Sequence, residues 1–284
     1  MIPFWVGRAL RAFAVDLADG MLGRTCPGCG GSAPRGGAVC ADCDAMVPRA
    51  GEVLCLRCMQ EGAEPTGSAE RGPTAADAAP SPGRGQPGPR GGCPRHGAER
   101  LLLAGPVFEP PLDRIVHAFK YSGARDACGW LASLLPEPPG RGEAAGREYV
   151  LVPVPLHPAR RAWRGFDQAR LLAETAGAAW GIPVAGALER RRDTPPQART
   201  GAAARRGNVS GAFRLVPHAA RLVERRAILL VDDVATTGST LLEAASALDG
   251  ASPSWILSLA AAHGGLPRGA EPPSSASVAA TSRV

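Results

Sequence analysis

A short apolar run that ends in two adjacent acids is the segment that most constrains the fold. Residues 226–231 read Arg-Ala-Ile-Leu-Leu-Val, and a continuous apolar run of this length is typical of a strand buried on both faces of a parallel sheet. Asp232 and Asp233 follow directly, and small or hydroxyl-bearing residues then lead into a helical pattern. This order of strand, turn and helix predicts an α/β protein.

Strand and helix patterns alternate around this segment from about residue 101 onward. The alternation predicts a parallel, doubly wound sheet. The polar, arginine-rich stretch 190–211 has no apolar period and is predicted to be a loop. The predicted strands are 149–155, 183–188, 213–216, 226–231 and 254–261, and the predicted helices are 112–135 (interrupted), 159–180 and 238–248.

The turn after the two acids has the composition of an anion site. Backbone N–H groups at the start of a helix form a ready cradle for a phosphate. The carboxylates of Asp232 and Asp233 are good acceptors for a sugar diol, so the whole segment describes a phosphorylated ribose better than a bare anion. The alternative is ordinary helix capping, since Asp and Thr are common N-caps. The candidate phosphate-binding residues are Ala235, Thr236, Thr237, Gly238, Ser239 and Thr240.

Six of the eight cysteines form three C-x-x-C pairs near the amino terminus. Such a pair directs two thiols to one point, which is half of a tetrahedral zinc site. Two of the pairs, ten residues apart, make a complete set of four thiolates. Disulfides or a redox motif are the alternative, but paired motifs in a cytosolic chain favour a structural zinc ion. The predicted ligands of this first set are Cys26, Cys29, Cys40 and Cys43.

The third pair, Cys55 and Cys58, is completed by Cys93 and His96 from a C-x-x-H motif. The spacer between the two halves is long, but closing a floppy loop costs an entropy that grows only slowly with its length. We therefore predict a second zinc site, with an incidental occurrence of the C-x-x-H motif as the alternative. Cys128 has no such partner and is predicted to be a small buried apolar residue.

Glycine and proline, 36 and 28 residues respectively, concentrate in particular segments. Residues 62–92 hold no Leu, Ile, Val or aromatic residue and are predicted to be disordered, as is the tail 263–284. Residues 1–23 have an apolar side at three- and four-residue steps, which predicts a docked helix rather than a membrane-surface helix. The absence of a membrane-spanning run or a secretory signal leads us to expect a cytoplasmic protein.

The chain carries a formal net charge of +6, nearly all of its positive charge is arginine, and Lys120 is the only lysine. Arginine suits phosphate recognition because its planar fork matches two oxygens at once. A GC-rich genome explains the bulk of the arginine equally well. A role in phosphate binding therefore has to be judged from the position of each arginine. Aromatic residues make up 5% of the chain, which leaves few side chains for stacking on nucleic-acid bases.

The segment 228–240 resembles the 5-phosphoribosyl-1-pyrophosphate (PRPP) loop of the type I phosphoribosyltransferases. The chain more widely resembles the ComF family, in which a double zinc ribbon precedes a phosphoribosyltransferase-like domain. Within 164–168, however, the family usually has Asn where this chain has Asp167. The other matching stretches are the cysteine pairs of 26–58 and residues 117–123, 152–158, 192–197, 206–208 and 211–213.

The resemblance implies a domain order and a site. It implies a double zinc ribbon over 24–100, interrupted by 62–92, and a phosphoribosyltransferase-like domain over 101–262. It implies that PRPP binds with Mg²⁺, that Asp232 and Asp233 hold the ribose, and that the 190–211 loop closes over the site. The pyrophosphate is then expected near Pro155, His157, Arg164 and Lys120, although a solvated helix face for Arg164 and an exposed lysine at 120 are the alternatives.

The resemblance also implies three functions that the sequence leaves open. One is transfer of a phosphoribosyl group to an unidentified acceptor. A second is a non-catalytic role in natural competence, through single-stranded DNA or proteins of the DNA-uptake machinery. The third is a PRPP-sensing regulator that binds the ligand without turnover. No nucleobase pocket or general base can be named from the sequence.

Overall fold

A computed structural model describes residues 24–34, 36–49, 51–61, 93, 95–96, 101–138, 148–192, 211–223, 226–248 and 255–261. The predicted N-terminal helix 1–23, the predicted insertion 62–92 and the predicted tail 263–284 lie outside these residues. Most of the predicted 190–211 loop does so as well.

Five strands of the described residues form one mixed sheet in the order β1-β2-β7-β6-β3. Strands β2, β7, β6 and β3 run parallel to their neighbours, and β1 pairs with β2 in the antiparallel direction. The remaining two, β4 and β5, form an antiparallel pair. The predicted α/β class with a mostly parallel sheet is thus confirmed. The strands are β1 (Glu52–Cys55), β2 (Leu101–Ala104), β3 (Tyr149–Pro153), β4 (Leu188–Arg190), β5 (Phe213–Leu215), β6 (Ala227–Ala235) and β7 (Trp255–Ala261).

The helices of the described residues are short, with one exception of 13 residues. A π-helical segment, Ala118–Ser122, follows α3, and 3-10 turns span Arg125–Ala127 and Pro217–Ala219. The α-helices are α1 (Ala41–Met46), α2 (Leu56–Glu61), α3 (Leu112–His117), α4 (Cys128–Ala132), α5 (Pro158–Arg164), α6 (Gln168–Trp180), α7 (Ala220–Val223) and α8 (Ser239–Ser246).

Apolar side chains of β6 alternate between two core clusters, one on each face of the sheet. Leu229 packs in the cluster that contains Leu172 of α6, whereas Leu230 packs in the cluster that contains Leu241 of α8. Successive side chains of a strand point to opposite faces, so an unbroken apolar run is needed where both faces are covered. The predicted doubly wound arrangement follows from this alternation.

Three predicted boundaries differ from the structure. Strand β6 does not end at residue 231 but continues through both acids to Ala235, because residues 232, 234 and 235 still pair with β7. The predicted helix 159–180 is two helices, since the chain reverses at Gly165, which has φ of 78°. Within the predicted strand 183–188, Val184 makes only a single bridge to Leu151, and β4 begins at Leu188.

The cysteine-rich region is joined to the α/β body rather than separate from it. Strand β1, which ends at Cys55, pairs with β2 along its whole length, with Glu52 opposite Ala104. It thereby covers a strand edge that would otherwise offer unpaired backbone groups. Cys26 and Cys43 are buried in the same core cluster as Leu131 of α4. Both halves of the cysteine region therefore contribute to the core of the body.

Candidate functional site

Asp232 and Asp233 lie near the carboxyl end of β6, an interior strand flanked by β7 and β3. The Asp232 carboxylate accepts a hydrogen bond from the backbone N–H of Asp233 at 2.8 Å, and the Asp233 carboxylate accepts one from Val234 at 2.6 Å. In parallel sheets the crevice outside the carboxyl ends of the strands is the usual place for a ligand. The structure therefore puts the predicted pair of acids where a ligand can reach it.

The two acids differ in their electrostatic surroundings. Burial, followed by the neighbouring charge of Asp233, raises the pKa of Asp232 to about 7, although Lys120 and Arg190 oppose the rise. Asp233 instead forms an ion pair with Lys120, with 2.8 Å between Oδ2 and Nζ. Near neutral pH the site thus combines one titrating carboxyl group with one carboxylate held by a cation.

Lys120 is held inside the structure, because its side chain is only 17% exposed. It belongs to the π-helical segment Ala118–Ser122 that follows α3. The two sequence-based alternatives for Lys120 were a phosphate contact and an exposed side chain. The structure pairs Lys120 with Asp233, which brings two predicted site residues together across 113 positions of the chain, and the phosphate contact stays a prediction.

The 235–240 loop joins β6 to α8 and is held by its own hydroxyls and by α2. Thr237 Oγ1 and Ser239 Oγ lie 3.0 Å apart, and Gln60 of α2 donates to Ser239 Oγ at 3.3 Å. Gly238 has φ of 70°, and a Cβ there would lie 2.7 Å from Cδ2 of Leu56. Only glycine fits this position, both for its backbone conformation and for the space left by Leu56.

A side-chain network connects Tyr121 to the start of α6. The Arg164 guanidinium lies 4.8 Å from the Tyr121 ring and donates to the Tyr121 hydroxyl and to Gln168 Oε1, both at 2.9 Å. Among the described residues, Arg164 Nε and Gln168 Nε2 are buried and have no hydrogen-bond partner. Unsatisfied buried donors are rare, so these two suit an anionic or carbonyl ligand. The alternative of a solvated helix face does not describe Arg164.

Pro155 and His157 lie in the segment between β3 and α5, beside the end of β6. Val154 donates its backbone N–H to the carbonyl of Val231 at 2.8 Å, which ties this segment to the central strand. His157 is the N-cap of α5 and accepts from the backbone N–H of Ala159 at 3.4 Å. Pro155 and His157 thus follow a residue that is bonded to β6 one position before the acids, and the Nδ1 atom of His157 caps α5.

Asp167, where the resembled family has Asn, has a structural role in this chain. Its Oδ1 accepts from the backbone N–H of Arg170 at the start of α6, and its Oδ2 accepts from the backbone N–H of Leu156 at 3.0 Å. An asparagine would put an NH2 donor in place of one of these two oxygens, and a donor cannot accept from a backbone N–H. Asp167 therefore fixes the segment that contains Pro155 and His157.

Sequence reasoning missed three residues that shape this site. Ser258 of β7 is fully buried, and its hydroxyl accepts from the backbone N–H of Ala235 at 3.1 Å. Gln168 is 1% exposed and Gln60 contacts the loop. A single hydroxyl within the apolar run 255–261 was the available signal for Ser258. Nothing in the sequence spacing connects Gln60 with Ser239.

The structure brings the first cysteine set together, with all four sulfur atoms within 4.8 Å of one another. Cys29 and Cys40 sulfurs lie 3.6 Å apart. Ligands about 2.3 Å from a tetrahedral zinc ion stand roughly 3.8 Å apart, so this spacing fits the metal. Burial acts against ionisation, yet backbone N–H groups, that of Cys40 foremost, hold the pKa of the Cys26 thiol at about 6. This cluster could hold a zinc ion.

The second set, Cys55, Cys58, Cys93 and His96, also lies within 4.8 Å. The Nδ1 atom of His96 faces the three sulfurs at 3.5 to 3.7 Å. Its other ring nitrogen lies 3.2 Å from Oε1 of Glu61. Metal-bound histidines usually give their second ring N–H to a carboxylate in this way, so the donor set fits zinc. Cys128 lies outside both sets and is buried, as predicted.

Comparison with known proteins identifies the body of the chain. Residues 165–276 match the family model described as phosphoribosyl transferase domain. The chain contains a phosphoribosyl transferase domain. This domain includes α6, the acids of β6 and the 235–240 loop.

The relatives that the chain matches are named for DNA utilization or for competence. The chain is 35% identical to the DNA utilization protein YhgH of Salmonella typhi over 150 residues, covering 50% of this chain and 62% of that protein. It is 34% identical to the Escherichia coli K12 protein of that name over 149 residues, covering 50% and 62%. It is 35% identical to the competence protein F of Haemophilus influenzae over 133 residues, covering 46% and 52%. These matches confirm the resemblance to the ComF family that the sequence motifs indicate.

The matches cover less than two thirds of the length of each of these relatives. Within the described part of the chain, no helix has the length and apolar character needed to cross a membrane.

The raised pKa of Asp232 predicts a pH-dependent stability. An unfolded aspartate ionises near pH 4, whereas Asp232 ionises near pH 7 in the folded chain. The folded state therefore loses stability as pH rises through this window. In urea unfolding, the free energy of unfolding of Asp232→Asn minus that of wild type should rise from pH 4 to pH 7 and then level. A flat difference for Asp232→Asn across this window would contradict the assignment.

The two cysteine sets predict about two zinc ions per chain. Elemental analysis of the purified protein should find this ratio, and Cys26→Ser or Cys58→Ser should each reduce it to about one. Cys128→Ser is the matched control, because Cys128 is equally buried but outside both sets. A wild-type protein with only one zinc ion, or none, would show that at least one set does not bind metal.

Proposed function

We propose that this protein binds PRPP together with Mg²⁺ and transfers the phosphoribosyl group to an acceptor. The single observation that carries the proposal is the pair of acids, with Lys120 on Asp233, next to a loop that leads into a helix through Gly238. A phosphate and a sugar diol need these two kinds of partner side by side. The match to the phosphoribosyl transferase domain supports the same ligand class.

In this proposal each part of PRPP has its own partners. Asp232 and Asp233 accept hydrogen bonds from the ribose hydroxyls. The 5-phosphate lies on the 235–240 loop, whose backbone N–H groups and hydroxyls face the start of α8. The pyrophosphate takes the buried donors of Arg164 and Gln168, which lack partners among the described residues. The segment with Pro155 and His157 lies on that side, fixed by Asp167.

The proposed transfer keeps its atoms and electrons in balance. The bond between the ribose carbon and the pyrophosphate oxygen breaks, and its electron pair leaves with the pyrophosphate. A lone pair of the acceptor forms the new bond to that carbon, and the proton of the acceptor passes to solvent. When bound beside the acid pair, Mg²⁺ would be held mainly by oxygens of the ligand and would help to neutralise the leaving anion.

The cysteine sets have a structural role in this proposal, with zinc as the metal. Closed sets of four thiolate or imidazole ligands are typical of structural zinc. The second set braces the proposed phosphate side of the site, because Leu56 and Gln60 contact the 235–240 loop. All eight cysteines are free of disulfides, and clustered free thiols favour a reducing compartment. We therefore place the protein in the cytoplasm.

The test is calorimetric titration of PRPP and Mg²⁺ into the protein. Wild type should bind, and Asp232→Asn/Asp233→Asn should bind at least about tenfold more weakly, because two charge-assisted hydrogen bonds to the ribose are weakened. The matched control, Asp126→Asn, alters an exposed acid that pairs with Arg24 and should bind as wild type does. Equal affinity of the double variant and wild type would refute the proposed site.

Release of pyrophosphate separates catalysis from sensing. A transferase releases pyrophosphate from PRPP when its acceptor is supplied, whereas a PRPP-sensing regulator binds the ligand and leaves it intact. Binding with no release in the presence of cell-extract small molecules would favour the sensor.

A second function, contact with single-stranded DNA, is supported by an exposed aromatic patch. The patch consists of His117, Tyr121 and Trp163. The ring centroid of Tyr121 lies 4.7 Å from that of His117 and 5.7 Å from that of Trp163. Trp163 is 74% exposed and Tyr121 is 47% exposed. Arg161 and Arg164 lie on the same short helix as Trp163. Aromatic faces beside arginines are how proteins bind single strands without reading sequence, and the names of the relatives agree with such a partner.

The patch predicts salt-sensitive binding of an oligo-dT strand. Trp163→Ala should weaken the Kd about tenfold, since stacking on one aromatic ring contributes about 1–3 kcal/mol per base. Met46→Ala removes another exposed apolar side chain, remote in sequence, and should change nothing. Fluorescence anisotropy of a labelled strand measures both. Equal affinity for the strand in wild type and Trp163→Ala would remove the patch from the interface.

A further inference from the structure

Helix α2, which is six residues long, lies between the second cysteine set and the 235–240 loop. Cys55, just before the helix, and Cys58 within it belong to the second set. Leu56 and Gln60 contact the loop instead. These residues alternate within fewer than two helical turns. The side of α2 that faces the second set and the side that faces the loop therefore cannot move independently.

The contact of α2 with the loop is closely packed. Leu56 is fully buried, and its Cδ2 occupies the space in which a Cβ at Gly238 would lie. Leu56 also shares its core cluster with Ala235, where the loop begins, and with Leu241, just beyond its end. Protein interiors are packed at the density of organic crystals and transmit displacements rather than absorb them. A shift of α2 would therefore displace the loop.

The second set holds α2 at both of its ends. Cys55 and Cys58 supply two sulfur atoms at its start, and Glu61, its last residue, lies 3.2 Å from Nε2 of His96. Nδ1 of His96 faces the sulfur atoms of the set. Filling such a set with a metal ion fixes the geometry of its ligands and contributes folding free energy. The order of α2 therefore depends on whether the second set is filled.

The second set also lies apart from the main core. Among the described residues, Cys55 and Cys58 form a small buried cluster with Leu101. Cys26 and Cys43 of the first set instead belong to a large core cluster. Proteins open locally where few buried apolar contacts hold a segment. Loss of the ion from the second set is thus expected to loosen α2 and the loop before the main core.

We propose that the second cysteine set is a regulatory zinc site: when it is filled, α2 holds the 235–240 loop in order, and a phosphorylated sugar binds the loop more tightly. The identity of this ligand rests on the proposed function. A loop that is already ordered loses less conformational entropy when a ligand binds. Coupling between two binding sites is reciprocal, so the sugar phosphate should raise the affinity of the second set for zinc by the same factor.

Hydrogen–deuterium exchange with mass spectrometry tests the order of the loop without any ligand. It is measured on the full chain, and the zinc content of each protein is determined beside it. Cys58→Ser removes a ligand of the second set. Cys26→Ser removes a ligand of the first set and is the matched control, because Cys26 does not belong to the cluster that contacts the loop.

A second group of variants retains every metal ligand and tests the packing itself. Leu56→Ala removes the side chain that fills the space beside Gly238. Leu56→Met keeps its volume and should restore the contact. Leu131→Ala is the matched control, because Leu131 is equally buried but belongs to the other large cluster.

The affinity of the loop is measured by calorimetry with ribose 5-phosphate, which lacks the pyrophosphate that would itself chelate zinc. The affinity of the protein for zinc is measured by competition with a chromogenic chelator, with and without ribose 5-phosphate. Calorimetry with PRPP and Mg²⁺ on wild type tests the proposed function separately.

We expect faster exchange of the loop amides in Cys58→Ser and in Leu56→Ala, with a Kd for ribose 5-phosphate at least about fivefold weaker. Leu56→Ala should retain the zinc content of wild type. Cys26→Ser, Leu56→Met and Leu131→Ala should keep loop exchange and Kd close to those of wild type. Ribose 5-phosphate should strengthen zinc binding by at least about fivefold in wild type and by less in Leu56→Ala.

Two results would overturn the inference. One is loop exchange and a Kd that stay as in wild type in both Cys58→Ser and Leu56→Ala. The other is exchange that rises evenly through the whole chain in Cys58→Ser, which would make the second set a support of the entire fold. Zinc-dependent loop exchange in a protein that binds neither ribose 5-phosphate nor PRPP would refute the proposed function and uphold the control of the loop by the second set.

Discussion

Two adjacent carboxyl groups at the end of a central strand repel each other, and the site depends on how that repulsion is managed. Lys120 neutralises Asp233 across 2.8 Å, while burial and the Asp233 charge raise the pKa of Asp232 to about 7. Since the two acids are consecutive in a strand, their side chains leave on opposite sides of the sheet plane. Lys120 forms its ion pair with Asp233, and its weaker attraction on Asp232 does not offset burial, so Asp232 stays sensitive to pH. A ligand that donates hydrogen bonds, or carries a cation, would favour the charged form of both.

The position of Lys120 depends in turn on the unusual segment that carries it. The π-helical turn Ala118–Ser122 follows α3 without a break, and Gly123 ends it with φ of 79°. Single π-turns are often found at functional sites because they redirect a side chain out of regular helical order. Here the turn presents Lys120 to Asp233, while the next residue, Tyr121, contacts Arg164. One turn of chain thus joins the acid pair to the network at the start of α6.

The sequence predicted the features that depend on residues close together in the chain, such as a buried strand and the cysteine motifs. The strand 226–231 was predictable because burial on both faces demands an apolar run, and the metal sets were predictable because C-x-x-C and C-x-x-H spacings converge by themselves. The pairing of β1 with β2 could not be predicted, because the four residues of β1 have no pattern that indicates which distant strand they pair with. The ion pair of Lys120 with Asp233 is likewise a tertiary contact. The break at Gly165 had a local signal, a glycine followed by an Asp that caps α6, but the apolar period hid it.

The cysteine region packs against the α/β body and contributes residues to its core and to the 235–240 loop. A metal-stabilised ribbon is often a module separate from the rest of a protein. In this chain, Leu56 of α2 instead fills the space beside Gly238. Pro27 lines a cleft of about 640 Å³ that is also lined by Lys120 and Tyr121. The two sets brace different sides of the site, the second against the 235–240 loop and the first against the α3 segment. A short segment with a small core of its own gains rigidity from a bound metal ion. Leu56 and Gln60 lie next to Cys55 and Cys58 in the chain and contact the 235–240 loop. Loss of a metal ion from the second set would therefore reach the loop through direct packing, without any need for a long-range pathway.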